Sequence, residues 1–211
     1  MFRKLVKAFS SKEKDVVRNI SSASDLLIGD IITFKPRSEL PKSLQGVDAE
    51  VMGLGCYEYR DEQEREFTMK TIDGDVFFLA LIDDDGERYL SLSKKILANN
   101  VSKLFDEHDF SEIFDEVVFA KSLRLQSDPS EKLMGWLDDD YNQTVKAKQG
   151  FYHPNLPKPS GTGQEFLSHY CEAGNDDYGL QIEIWQDGET DVFVNCNCAE
   201  DVIQDFWPAS K

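Results

Sequence analysis

The chain has 211 residues, 40% of them hydrophobic and 30% charged, with 40 acidic against 23 basic side chains and a formal charge of −17. That apolar content supports a folded core in one domain or two small ones, and so negative a chain repels the phosphate backbone, which argues against a nucleic acid partner held on a broad basic surface. The longest unbroken apolar run, Val76 to Ile82, is seven residues, far short of the ~20 that a spanning helix needs.

The amino terminus differs from the rest. Residues 1–20 hold six basic and two acidic side chains, a net of +4, which leaves −21 for the remaining 191 residues. At helical spacing Phe2, Leu5, Val6, Phe9, Val16, Val17 and Ile20 fall within an arc of about 120°, with Arg3, Lys4, Lys7, Lys14 and Arg18 opposite. The spacing predicts an amphipathic basic helix over residues 1–20, interrupted on its apolar side by Glu13. The stretch lacks the unbroken apolar core of a secretory signal. A cytoplasmic protein is therefore expected, with Cys56, Cys171, Cys196 and Cys198 as reduced thiols.

After the Ser-rich break at residues 21–24, strand patterns run over Leu26–Phe34, Ala49–Tyr59, Glu66–Ile72, Asp75–Ile82 and Glu87–Leu92. Asp73-Gly74 suits a two-residue type I′ turn between two of them, and Asp83 to Gly86 closes the next hairpin. Lys94–Phe119 reads as mainly helical, with a second short helix at Ser111–Val118, and Ser130–Leu137 as another helix. Tyr141–Tyr152 is extended, and Pro154–Gly163 is a Pro/Gly-rich loop. A second meander follows over Glu165–Cys171, Tyr178–Trp185 and Thr190–Cys196. Asn197 and Glu200 have capping-box spacing, which predicts a terminal helix to Phe206.

One hairpin can be set in register. A three-residue loop places Gly188 in the left-handed position and pairs Trp185 with Glu189, so Ile182 faces Val192, Leu180 faces Val194 and Tyr178 faces Cys196. The expected fold is thus an α+β, β-rich protein of two antiparallel β-meanders joined by helices, plus the N-terminal amphipathic helix. Its units are residues 1–20, an N-terminal meander over 21–104 and a C-terminal meander with its helix over 105–211.

Chemistry-bearing motifs are sparse. His169-x-Cys171 and Cys196-x-Cys198 have zinc-compatible residue types, but the register puts Cys196 on an apolar face and a whole strand between the pairs. No metal and no cofactor is assigned. His108, His153 and His169 have no local nucleophile signature beside them. The Gly-x-Gly at Gly161–Gly163 precedes a strand rather than a phosphate-binding helix. The acidic runs Asp83–Asp85 and Asp138–Asp140 lack calcium-loop spacing.

The segments LLIGDIITF, EVMGLGCYEY, EFTMKTIDGDVFFLAL and GLQIEIWQDGETDVFVNCNCAEDVIQDFWP resemble those of uncharacterised bacterial proteins of the YjfK-like group, over most of residues 25–208. The resemblance implies no catalytic residue. Members look like neighbours of phage-shock-protein-A-like genes, which implies a role near bacterial membrane stress.

Two functions are expected from this reading. The first is a non-enzymatic interaction protein that docks to a protein partner, or peripherally to the inner membrane face. Phe2, Leu5, Val6 and Phe9 would supply burial, and Arg3, Lys4, Lys7 and Lys14 the charge. The second is an enzyme with a cleft between the two β-rich halves, near His153 and the Pro154–Gly163 loop, marked by convergent polar groups and shifted titrations.

Overall fold

The structure is a computed structural model describing residues 18–84, 86–115, 117–120, 122–156, 163–175 and 177–209. The strands are β1 (Ile31–Phe34), β2 (Asp48–Glu58), β3 (Gln63–Thr71), β4 (Val76–Asp84), β5 (Glu87–Ile96), β6 (Leu123–Arg124), β7 (Asp140–His153), β8 (Gln164–Ala173), β9 (Tyr178–Trp185), β10 (Thr190–Ala199) and β11 (Ile203–Trp207). All are antiparallel in one sheet ordered β11-β1-β2-β3-β4-β5-β10-β9-β8-β7-β6. A further pairing of β2 with β7 closes eight of them into a barrel, with β1 and β11 continuing from β2, and β6 from β7.

This corrects the expected fold class. The two meanders are the two halves of one closed barrel, joined by the β5–β10 ladder on one side and by the short β2–β7 seam on the other. Closure removes two exposed edges, which two separate meanders would have had to protect.

Among the described residues, helix is confined to α1 (Ala98–Leu104) and α2 (Glu107–Ser111), apart from single 3-10 turns. The helix predicted from Lys94 begins later because β5 runs on to Ile96, and it breaks where Asp106 accepts from the His108 and Asp109 amides, capping a new start. Ser130–Leu137 reduces to one 3-10 turn at Glu131–Leu133. The terminal helix is absent: β10 extends through Ala199, a 3-10 turn covers Glu200–Val202, and β11 follows. Glu200 does not complete a capping box. Its carboxylate accepts from Ser22 Oγ and the Ala23 amide, 177 residues back in sequence from Glu200 in the latter case.

The predicted N-terminal amphipathic helix is not part of the described fold. Arg18–Ile20, where it should end, are not helical, and residues 1–17 lie outside the described residues.

The Trp185–Glu189 hairpin has the register set by its turn: Ile182 pairs with Val192, Leu180 with Val194 and Tyr178 with Cys196, and Gly188 sits at φ +87°. The Asp73-Gly74 turn uses the same device instead of type I′. Thr71 and Asp75 flank a three-residue loop in which only Gly74 takes positive φ, at +86°.

Alternation along the strands gives the barrel two unlike faces. The Tyr57 hydroxyl on β2 stands close to the carboxyls of Glu66 on β3 and Glu183 on β9. Strands β7 and β8 lie between β2 and β9, so this contact spans the concave side, and the face carrying Tyr57, Glu66, Phe166, Glu183 and Trp185 points inward.

The opposite face is apolar and turned outward. Phe67, Met69, Phe77, Leu79, Leu90, Leu92, Leu180, Ile182, Val192 and Val194 form one cluster with Leu26, Leu40, Leu44, Phe105, Ile113, Leu133 and Trp136, which come from the connecting segments. The core therefore lies largely between the outside of the barrel and its wrapping. Lys94 Nζ over the Trp136 ring and Cys196 Sγ against the Glu39 carbonyl mark this contact.

Candidate functional site

Inside the barrel, the seam end is packed with rings. Tyr57 lies 4.8 Å from Tyr152 and 5.5 Å from Phe166, and Phe166 lies 5.4 Å from Trp185, between ring centroids. Glycines make the space. A Cβ on Gly55 would overlap the Tyr152 ring, and one on Gly150 would come within 2.7 Å of Phe166 Cζ.

Two carboxyls are buried among these rings. Glu66 is 7% exposed and Glu183 is fully buried. Tyr152 Oη donates to Glu66 Oε1 at 3.1 Å, Gln181 Nε2 donates to Glu183 Oε1 at 2.7 Å, and the Tyr57 hydroxyl lies near both carboxyls. Among the described residues, Glu183 Oε2 has no hydrogen-bond partner.

Loss of water and the charge of a neighbouring carboxylate raise both titrations. Burial first, and the charge of Glu183 second, push Glu66 from 4.5 up to about 8. Burial first, with Asp191 adding repulsion, pushes Glu183 up to about 7. Near neutral pH the pair therefore holds protons that ordinary glutamates have lost. Burial also pushes Tyr57 itself well above its usual range.

Next to Trp185 is an open cleft of about 430 Å³, lined by Gln164, Glu165, Trp185, Asp187, Glu189 and Asp191. Asp191 is held by Trp185 Nε1 at 3.3 Å and by Lys95 Nζ at 2.7 Å. Trp185 lines this cleft and also meets the Tyr152 and Phe166 rings inside the barrel, at 6.2 Å and 5.4 Å between centroids.

The seam carries the expected enzyme location. His153 pairs with Cys56 across β2–β7, and a 320 Å³ hollow there is lined by Cys56, Glu58, Gln63, Arg65, His153 and Leu156. His153 Nε2 bonds Glu58 Oε2 at 2.7 Å, while the Cys56 thiol donates to the Tyr57 carbonyl at 3.4 Å and burial raises its titration. The structure thus does not join this histidine and thiol as base and nucleophile. Most of the Pro154–Gly163 loop, residues 157–162, lies outside the described residues.

The other histidines are accounted for locally. His169 lies on the wrapped outer face, bonded to Gln143 at 3.2 Å and lowered by burial, and His108 is an exposed residue of α2. All four cysteines are buried free thiols, with Cys171 and Cys196 pushed up to about 12 by burial.

The predicted contact residues Phe2, Arg3, Lys4, Leu5, Val6, Lys7, Phe9 and Lys14 all lie outside the described residues. Their point of attachment is described. The Asp30 carboxylate, 1% exposed, forms an ion pair with Arg18 and accepts from the Leu27 amide at 2.7 Å and the Ala209 amide at 2.9 Å. It ties the start of the described chain to β1 and to the residues after β11.

Glu66 and Glu183 escaped the sequence reading, because each alternates with apolar residues and so resembles the solvent side of a strand. The available signal was Gly53, Gly55 and Gly179, glycines inside strands, which mark close approach by another group.

Among the described residues, no helix is long and apolar enough to cross a membrane. Comparison with protein-family models, with curated proteins and with solved structures finds no match to this chain.

Proposed function

We propose that this is a non-enzymatic bacterial interaction protein, related to the YjfK-like group, that docks reversibly through residues 1–20 at the anionic inner face of a membrane as a partner in stress response. The observation that carries this reading is the charge division: a +4 start on a body of −21, attached at the Asp30 hub beside the open sheet edge. Each basic side chain near an anionic surface contributes about 1 kcal/mol, and Phe2, Leu5, Val6 and Phe9 add apolar burial. The acidic body is repelled from the same surface, so attachment is a tether. Vesicle flotation of the full chain tests it. Binding to phosphatidylglycerol vesicles that is abolished in an Arg3→Gln/Lys4→Gln/Lys7→Gln/Lys14→Gln variant is expected; equal binding by both proteins overturns the reading.

The second reading, an enzyme, is favoured by one observation: Glu66 and Glu183 titrate in the range that general acids and bases use. It requires that small molecules reach the pair. Carbodiimide-driven coupling of a small amine to the native protein, mapped by mass spectrometry, decides this, and an enzyme site would label Glu66 or Glu183. Labelling confined to surface carboxylates removes that reading.

A further inference from the structure

After β5 the chain forms two short helices where its periodicity predicts a longer one. Helix α1 ends with the Phe105 amide on the Val101 carbonyl, and Asp106 caps a new start by accepting from the His108 and Asp109 amides at 2.8 Å and 3.2 Å. Gln126 braces the break: its amide donates to the Leu104 carbonyl at 2.8 Å and its side chain to Asp106 Oδ2 at 3.3 Å. At this break a slot of about 340 Å³ lies between the two helices and the β5–β10 ladder.

The buried part of its lining is apolar and the exposed part mainly polar. Ile96 and Val192, paired across the ladder, are buried, as are Val101 and Phe105. The Phe110 ring stacks on Phe105 at 6.3 Å and meets Phe114 edge-on at 5.8 Å, and Phe114 is 36% exposed. Ser102, Ser111 and Thr190 line the slot from exposed positions, as does Glu107, its only charged lining residue. An apolar recess with a few polar groups is the form that small-molecule sites take. An apolar cavity of about 150 Å³ holds one benzene, so this slot suits an apolar body of about ten carbons. A lining carboxylate with no lining cation beside it favours a positively charged head, as does the −17 charge of the whole chain.

We infer that this slot binds a single-chain amphiphilic ammonium, its apolar body against Phe105, Phe110 and Val192 and its head at Glu107. Burial of the apolar body supplies most of the affinity. Glu107 is exposed, so its attraction is that of a surface ion pair and raises affinity by up to about fivefold. A neutral head lacks that gain, and a carboxylate head is repelled. The inference is independent of the proposed membrane docking, since none of residues 1–20 lines the slot.

The test is calorimetric titration of the full chain, at physiological salt, with octylammonium, octanol and octanoate, probes short enough to stay monomeric. One octylammonium per chain is expected, bound up to about fivefold more tightly than octanol, with octanoate weakest. Glu107→Gln should bring octylammonium down to the level of octanol and leave octanol unchanged. Thr190→Trp, which fills the slot from the β10 side, should remove the binding of both. Ser102→Trp fills it from α1 and takes its place if Thr190→Trp alters the melting of the protein. Absence of octylammonium binding, binding that neither tryptophan variant reduces, or octanol or octanoate bound as tightly as octylammonium each overturn the inference.

Discussion

Replacing Glu66 by Gln keeps the shape of the side chain and removes its titration. In the unfolded chain Glu66 ionises near 4.5, whereas inside the barrel burial and Glu183 raise it to about 8. A carboxyl raised on folding leaves the native state with more bound protons than the unfolded one between those two values. Stability therefore falls as pH rises from 4.5 to 8, and is restored on acidification. The displacement corresponds to about 5 kcal/mol at pH 8.5, when both states are ionised. That is a large share of the ~5–15 kcal/mol by which a domain is stable. The amide introduced by Glu66→Gln would face Tyr57 and Tyr152 less well than the carboxyl does, a pH-independent loss of about 1 kcal/mol. Glu66→Gln should thus be slightly less stable than the parent at pH 5 and about 4 kcal/mol more stable at pH 8.5. Urea unfolding followed by tryptophan fluorescence at both values measures it, and the general repulsion of an acidic chain cancels in the comparison. A difference that is the same at pH 5 and pH 8.5 would show that Glu66 is not held protonated and would refute the reasoning.

The packing claims have direct counterparts. Gly150→Ala brings a methyl against Phe166 and Tyr59 and should cost about 1–3 kcal/mol in urea unfolding, while Gly174→Ala, with nothing within 4 Å of the new carbon, should stay within about 0.5 kcal/mol; equal effects would contradict the packed interior. Trp136 belongs to the wrapping and is fully buried against the barrel, so Trp136→Ala should lose about 3–5 kcal/mol, and a change below about 1 kcal/mol would mean the wrapping is not part of the core. All four thiols are buried, so a disulfide reagent at pH 8 should react slowly with native protein and rapidly with four thiols after denaturation. Rapid labelling of the native state would contradict their placement.

Strand positions and one register were legible because period-two patterning and turn chemistry are local. Ile182 opposite Val192 follows from Gly188 and the apolar alternation alone. Closure was not legible. It rests on three residue pairs between β2 and β7, about a hundred residues apart, and nothing local distinguishes a barrel half from an open meander. The same gap hid the candidate site, since Glu66 and Glu183 read as solvent-facing until closure turns their face inward. The terminal helix failed for a related reason: Glu200, three residues after Asn197, has the spacing of a cap, but Val202 and Ile203 gain more by burial against the wrapped barrel. The helical periodicity of residues 1–20 competes with contacts that helical spacing does not encode, among them the Arg18 pairing with Asp30 and the burial of Ile20.

The central functional claim is that the first residues of the chain enter an anionic lipid surface. The buried native thiols allow a single Val6→Cys to be labelled with a fluorophore in the full chain, and nitroxide groups on the lipid acyl chains then report contact with lipid alone. Quenching with phosphatidylglycerol vesicles, absent with phosphatidylcholine vesicles and reversed by high salt, is predicted. Unquenched emission at saturating phosphatidylglycerol would contradict the account.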